Sequence, residues 1–221
     1  FRYAVGTSPG LKPEESDGYE FGFKGTTENV SWTISIYDND YENFIDTYIK
    51  GRNQQGITLY EYGNLDEVEI KGVEFEMNAD ISDNLSASFG FSIPDGTKND
   101  EQLVSIDPEE AILGLAWNSN SGKLKLSGYA NFTAGSHDNL PPSCGRGGCN
   151  PLLTLSGLTT YDLYGSYQIS QNLKLRFAIR NLSDESYWNW SSVQGKSAND
   201  SNLDLFMEPG RNMSIGLKYD F

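Results

Sequence analysis

The sequence predicts an all-β protein, a transmembrane antiparallel β-barrel, and three observations carry that prediction. The first is the ending, PGRNMSIGLKYDF (209–221), where Met213, Ile215, Leu217, Tyr219 and Phe221 alternate with Asn212, Ser214, Gly216, Lys218 and Asp220. A period of two with one apolar and one polar face is a strand between two different environments. A final aromatic residue on the apolar face is the habit of membrane barrels. The second is a rhythm of short turns alternating with long polar stretches. The third is composition. With 37% apolar residues and a mean hydropathy of −0.51, no run is long and apolar enough for a membrane helix. A barrel needs none, because only every second strand residue meets lipid.

Each element follows from the same alternation. Residues 1–16 read as a loop broken by Pro9, Gly10 and Pro13. Tyr19, Phe21 and Phe23 form the first apolar face, opposite Glu20, Gly22 and Lys24. After a turn at 26–29, Val30, Trp32, Ile34 and Ile36 form the second, and that strand runs on through Tyr41 to Phe44. Residues 47–65 read as a long loop or as strand ends projecting into water. Val73, Phe75, Met77, Ala79 and Ile81 face away from Glu74, Glu76, Asn78 and Asp80. A tight turn at 82–84 leads to Leu85, Ala87, Phe89, Phe91 and Ile93.

Pro94 is expected to begin a loop reaching Pro108. Ala111, Leu113, Leu115 and Trp117 make the fifth strand; Leu124, Leu126, Gly128, Ala130 and Phe132 make the sixth. A long loop spans 135–157. Tyr161, Leu163, Gly165, Tyr167 and Ile169 make the seventh, and Leu173, Leu175, Phe177 and Ile179 the eighth. Residues 183–208 are the last long loop before the terminal strand.

Short turns fall near 27, 83, 120 and 170, and long loops near 55, 100, 145 and 195. That segregation requires antiparallel neighbours with every short turn at one end, as in outer-membrane barrels. Each apolar stretch covers about nine to eleven residues, the span of a tilted strand. Phe23, Trp32, Trp117, Tyr167, Tyr219 and Phe221 cluster toward the short-turn end; Tyr19, Phe132 and Tyr161 cluster toward the other, giving two aromatic belts. Charges such as Lys123, Lys125, Lys174, Arg176 and Arg180 sit on the opposite face, costly in lipid and comfortable in a wet lumen. The net charge of −15 argues against nucleic acid as a partner.

Nine strands cannot close on themselves, because the first and last would run parallel, and an open sheet would leave two bare edges in lipid. The chain is therefore expected to be one part of a larger barrel and not to close alone. Its opening, FRYAVGTSPG, has neither the charged start nor the apolar core of a signal peptide. The expectation is that a leader has been removed or that the chain is a fragment.

Several segments resemble the C-terminal half of TonB-dependent outer-membrane receptors, most closely the haemoglobin/transferrin/lactoferrin (haem) subfamily. They are SPGLKPEESDGYEFGFKG (8–25), IKGVEFE (70–76), SIDPEEAILGLAW (105–117), YDLYGSYQISQNLKLRFAIRNLSDESYWNWSSVQG (161–195) and EPGRNMSIGLKYDF (208–221). The resemblance implies a 22-stranded barrel of which these nine are the C-terminal strands, with long loops outside. It also implies a plug and a TonB-contacting segment elsewhere in the receptor. The implied setting is the outer membrane of a Gram-negative bacterium. The implied partners are the remaining barrel strands and plug, the TonB complex, lipid and lipopolysaccharide, and a haemoprotein. The implied cargo is haem iron, transported and not held as an intrinsic cofactor. One departure stands out. FRYA (1–4) and SPGL (8–11) lie almost adjacent, without the histidine that haem receptors commonly carry between the corresponding motifs.

Candidate sites are few. His137, the sole histidine, lies in a long external loop and reads either as a surface residue or as a haem-iron ligand. Tyr129 on the lumen face reads as part of a polar wall or as a tyrosine ligand. Cys144 and Cys149, with four residues between them in an extracytoplasmic loop, are expected to form a disulfide and not a metal site. Tyr187, Trp188 and Trp190 read as a partner surface or as packing within the last loop. One histidine and no Ser/His/Asp or paired-carboxylate constellation argue against catalysis. An energised import receptor and a passive pore both fit; a siderophore is the alternative cargo.

Overall fold

The computed structural model describes residues 3–52, 58–99, 101–136, 143–145 and 148–221. Nine strands form one continuous antiparallel path in chain order: β2 (Glu15–Thr26), β3 (Val30–Arg52), β4 (Thr58–Ser82), β5 (Leu85–Lys98), β7 (Glu110–Asn118), β8 (Leu124–Thr133), β11 (Leu158–Gln168), β12 (Leu173–Arg180) and β13 (Asn212–Tyr219). Three-residue β1 (Tyr3–Val5) pairs parallel with β4, and two-residue β6 (Glu101–Gln102) pairs with β5. A separate hairpin joins β9 (Ser143–Gly145) and β10 (Gly148–Asn150). A single helical turn, α1, covers Trp190–Val193.

The register carries one apolar surface across the path. Phe23 lies opposite Ile34, Ile34 opposite Phe75, Phe75 opposite Phe91, Phe91 opposite Ala111 and Ala111 opposite Phe132. Farther on, Leu163 meets Ile179 and Ile179 meets Met213. A one-residue slip anywhere would exchange the two faces, so the alternation itself fixes the pairing. The belt residues are solvent-accessible on this face, from Trp32 at 37% to the fully exposed Phe221. Exposed aromatic and aliphatic side chains over a whole sheet face require an apolar medium.

The sheet is open: among the described residues, β2 and β13 each have a strand neighbour on one side only. The predicted nine-strand count is therefore observed, with its two edges, and other barrel strands must cover them in a bilayer. Turns such as Ser119–Leu124 join strands at one end. There the Gly122 amide donates to the Ser119 carbonyl at 2.7 Å, and Gly122 takes φ +68, a value open to glycine without strain.

Two expectations need correction, and one open alternative is decided. Residues 1–16 are not all loop, because β1 adds to the outer end of β4 and β2 starts at Glu15. Pro94 does not begin a loop; β5 continues through it, opposite Gly72, to Lys98. Ladder pairing with β7 stops at Ser92, so β5 has a free side there and a missing N–H is tolerated. Of the two readings of 47–65, the described residues show projecting strands, β3 reaching Arg52 and β4 starting at Thr58. β3 and β4 have 23 and 25 residues. At about 3.3 Å per residue they far exceed what the bilayer needs. The Lys50–Glu61 ion pair, 2.8 Å, lies within this extension.

Candidate functional site

The polar face of the sheet is built by the same register. At the long-loop end Glu74 lies opposite Ser92, Ser92 opposite Glu110, and Glu110 opposite Thr133; Asn131 lies opposite Thr160 and Tyr129 opposite Asp162. All of these but Tyr129 wall a chamber of about 1500 Å³, roofed by 185–191 and 208–209 of the last loop. Its lining carries seven carboxylates (Glu74, Glu76, Asp107, Glu110, Asp162, Glu185 and Glu208) against one cation, Arg180. The wall contributed by this chain is thus strongly acidic.

The roof is held by a turn at its foot. Asn181, 4% exposed, adopts φ +51, which asparagine tolerates better than most residues. Its amide donates to Asp162 Oδ1 at 2.9 Å. Its side-chain Nδ2 donates to the carbonyls of Glu185 at 2.8 Å and Pro209 at 3.4 Å, and its Oδ1 accepts from the Glu185 amide at 2.9 Å. Asp184 then accepts from the Arg211 amide at 2.7 Å and faces the Arg211 guanidinium at 3.6 Å. Both ends of the loop are joined through one asparagine and one aspartate. Asp162 ties this foot to the wall, since Tyr164 Oη at 3.4 Å and Asn131 Nδ2 at 3.5 Å also donate to it.

The long loops pack on one another above the chamber. Trp190 Nε1 donates to the Val104 carbonyl at 3.2 Å across 86 residues of sequence. The Leu153 amide donates to Lys196, and Ala198 to Pro151, tying the 134–157 loop to the last one. Most of the buried apolar residues described lie at this end: Leu103, Trp190 and Val193 in loops and Val68 in β4, with Ala178 in β12. Trp190 therefore packs, and it packs across loops. Tyr187 and Trp188 line the chamber beside it, the indole N–H of Trp188 donating to the Leu203 carbonyl at 2.8 Å. Burial, then the carboxylates of Glu208 and Asp162, hold the Tyr187 phenol above its ordinary pKa. Burial and then the Asp200 carboxylate raise Tyr60 likewise.

Tyr129 lies on the lumen face as expected but lines a second hollow nearer the short turns, of about 450 Å³. Its ring stands edge-on to Tyr164 at 5.8 Å and covers Gly114, where a Cβ would lie 2.9 Å from that ring. Glycine there lets the aromatic ring close over the strand. His137 lies outside the described residues. The side chains of Cys144 and Cys149 do too, but the β9–β10 register sets the two residues directly opposite. Such partners have Cα atoms about 4.5–5.5 Å apart, inside the disulfide range. Sequence reasoning passed over Asp162, Arg180 and Asn181 as site residues. The signal available for Asn181 was the NLSD stretch at the end of β12, with Pro-Gly following at 209–210.

The same architecture is found in known proteins. A solved structure of the copper transporter OprC superposes with a TM-score of 0.79 at 20% identity, over 96% of this chain and 33% of that one. Hemoglobin-binding protein A of Haemophilus influenzae is 23% identical over 96% of this chain and 24% of its own length. The vitamin B12 transporter BtuB of Photobacterium profundum is 27% identical over 81% of this chain and 28% of its own. The chain spans about a quarter of the length of these curated relatives. The family profile described as TonB dependent receptor-like, beta-barrel, matches residues 1–182. The lipid-facing apolar surface, the open nine-stranded path and that match together place the chain in the family of TonB-dependent receptors, as part of their outer-membrane β-barrel.

Proposed function

We propose that these nine strands are the C-terminal part of a 22-stranded receptor barrel, residues 1–221 throughout, with a plug and the other strands supplied elsewhere in the receptor. The receptor imports an iron-containing ligand across the outer membrane, powered through TonB; it is not an enzyme. The ligand is haem, free or taken from a haemoprotein. The observation that carries this reading is the chamber at the long-loop end, walled by the lumen face and roofed by the last loop. Similarity to a hemoglobin-binding protein supports haem.

Haem is a flat macrocycle with two carboxylates at one edge. Tyr187 and Trp188 offer aromatic faces for the ring, and Arg180 is the lining cation able to receive a propionate. The surrounding carboxylates repel propionates, so a propionate docks on this wall only at Arg180. Iron ligation falls to other groups, with His137 as this chain's candidate. Tyr129 is a weaker one, because it lies below the chamber. The excess of carboxylates favours a second reading, a cargo with net positive charge such as a metal-ion complex.

Growth with haem as the sole iron source tests the proposal. Deletion of the receptor abolishes such growth, and His137→Ala in the intact receptor reduces it partly. Normal growth on haem after deletion, with growth on another metal source lost, rejects haem and favours the second reading.

A further inference from the structure

Below the chamber the lumen face turns from acidic to basic. The register lays Lys125, Ser166 and Arg176 in one row across β8, β11 and β12. The next row up holds Ser127 on β8 and Ser214 on β13. Together they line a hollow of about 550 Å³. Among the described residues, neither Lys125 nor Arg176 has an ion-pair partner. Asp162 is the one carboxylate that these strands place on the lumen face among the described residues. It stands four residues up β11 from Ser166, about 13 Å. It already accepts from Asn131, Tyr164 and the Asn181 amide. Asp220 pairs with Lys218 at 2.8 Å. Two cations therefore flank a hydroxyl-lined hollow with no carboxylate of these strands to neutralise them.

We infer that this hollow is a binding site for a tetrahedral oxyanion of the phosphate class, free or at the end of a small molecule. The backbones of Lys125 and Arg176 stand two strand spacings apart, about 10 Å. Each long side chain needs to lean over only half of that gap for the two charges to meet above Ser166. Serine there is short enough to leave the space open, and Ala178 and Gly216 beside Arg176 keep the floor low. Phosphate offers four oxygens and up to two negative charges. The Arg176 guanidinium can take two oxygens as a fork and the Lys125 ammonium a third. A hydroxyl of Ser166 or Ser127 can donate to the fourth. A carboxylate has two oxygens, too few to engage both cations and the hydroxyls together. The chamber above, with its seven carboxylates, disfavours the same anion.

Calorimetric titration of inorganic phosphate into the intact receptor in detergent, at low salt, tests the site. One phosphate is expected to bind per receptor with a Kd of about 1 mM or below. Lys125→Gln and Arg176→Gln should each weaken it about tenfold or more, and the double variant should abolish it. Ser166→Asp places a carboxylate between the two cations and should abolish it as well. Lys174→Gln removes a neighbouring charge of the same wall outside the hollow and should weaken binding far less. Acetate should bind much more weakly than phosphate. Glycerol phosphate distinguishes the sources: binding equal to that of phosphate marks a site for a phosphate-bearing molecule, and rejection of the ester marks a site for the free ion. Outer-membrane abundance and the heat-dependent gel shift confirm that each variant folds. Absence of saturable phosphate binding to the wild type overturns the inference, as does binding that survives in the double variant. Equal weakening by Lys174→Gln and Lys125→Gln overturns it too, because a general basic field and not this hollow then attracts the anion, and acetate binding as tight as phosphate overturns the ligand class. Phosphate binding is read without reference to the imported cargo, so it stands or falls separately from growth on haem.

Discussion

Asn181→Ala is expected to free the last loop from the sheet without unfolding the barrel. The change deletes two short side-chain hydrogen bonds to Glu185 and a longer one to Pro209. At roughly 1 kcal/mol net for each short bond, the loss is about 2 kcal/mol. Alanine at φ +51 adds roughly 1 kcal/mol of steric cost. A total near 3 kcal/mol raises the population of the opened foot by about a hundredfold. Asn181→Gly removes the steric part and should give a few tens-fold, which separates the two contributions. Amide exchange on the intact receptor in detergent reads this directly. The Glu185 and Arg211 amides should exchange faster by these factors. The amides of Leu163 and Phe177, in β11 and β12, should not change. Unaltered protection at Glu185 would refute the clamp; equal effects of alanine and glycine would refute the share given to backbone conformation.

Other outcomes follow from the two faces and the loops. Leu115→Arg, on the apolar face and 50% exposed, should cost about 2–4 kcal/mol in a urea titration of the lipid-embedded receptor. Ser92→Arg, on the polar face between Glu74 and Glu110, should cost little, and a reversed order would mean the faces are assigned wrongly. Cys144 and Cys149 should resist alkylation until reduced; reduction should loosen only their hairpin, because the closed loop is short, and labelling of both thiols beforehand would exclude the bridge. The raised pKa of Tyr187 means the folded loop retains a proton that the unfolded chain releases, so its contribution holds below the ordinary tyrosine pKa near 10 and fades above it. Ultraviolet titration should find this tyrosinate forming later than that of exposed tyrosines, and a shorter but persistent delay in Glu208→Gln would confirm that the carboxylate adds to burial.

The sequence by itself determined the fold class, the membrane-facing surface, the strand count and the end on which the long loops lie. Alternation is local information: Phe75 or Leu115 declares its face through its immediate neighbours, and register then follows because a slip would invert every strand. The haem-receptor resemblance likewise rested on contiguous stretches such as NLSD and YWNW. Only the tertiary structure decided what depends on distant partners. β3 runs on to Arg52 and β4 begins at Thr58 because each supplies the other's backbone hydrogen bonds, although no apolar face marks the extension. Trp190 is buried because Val104, 86 residues away, lies over it. Asp162 looks like one more lumen carboxylate until Asn131, Tyr164 and Asn181 converge on it. Lys125 and Arg176 become one surface only when β8, β11 and β12 are laid side by side. A period of two assigns a residue to a face, but its neighbours on that face come from other strands, and pairing alone brings them together.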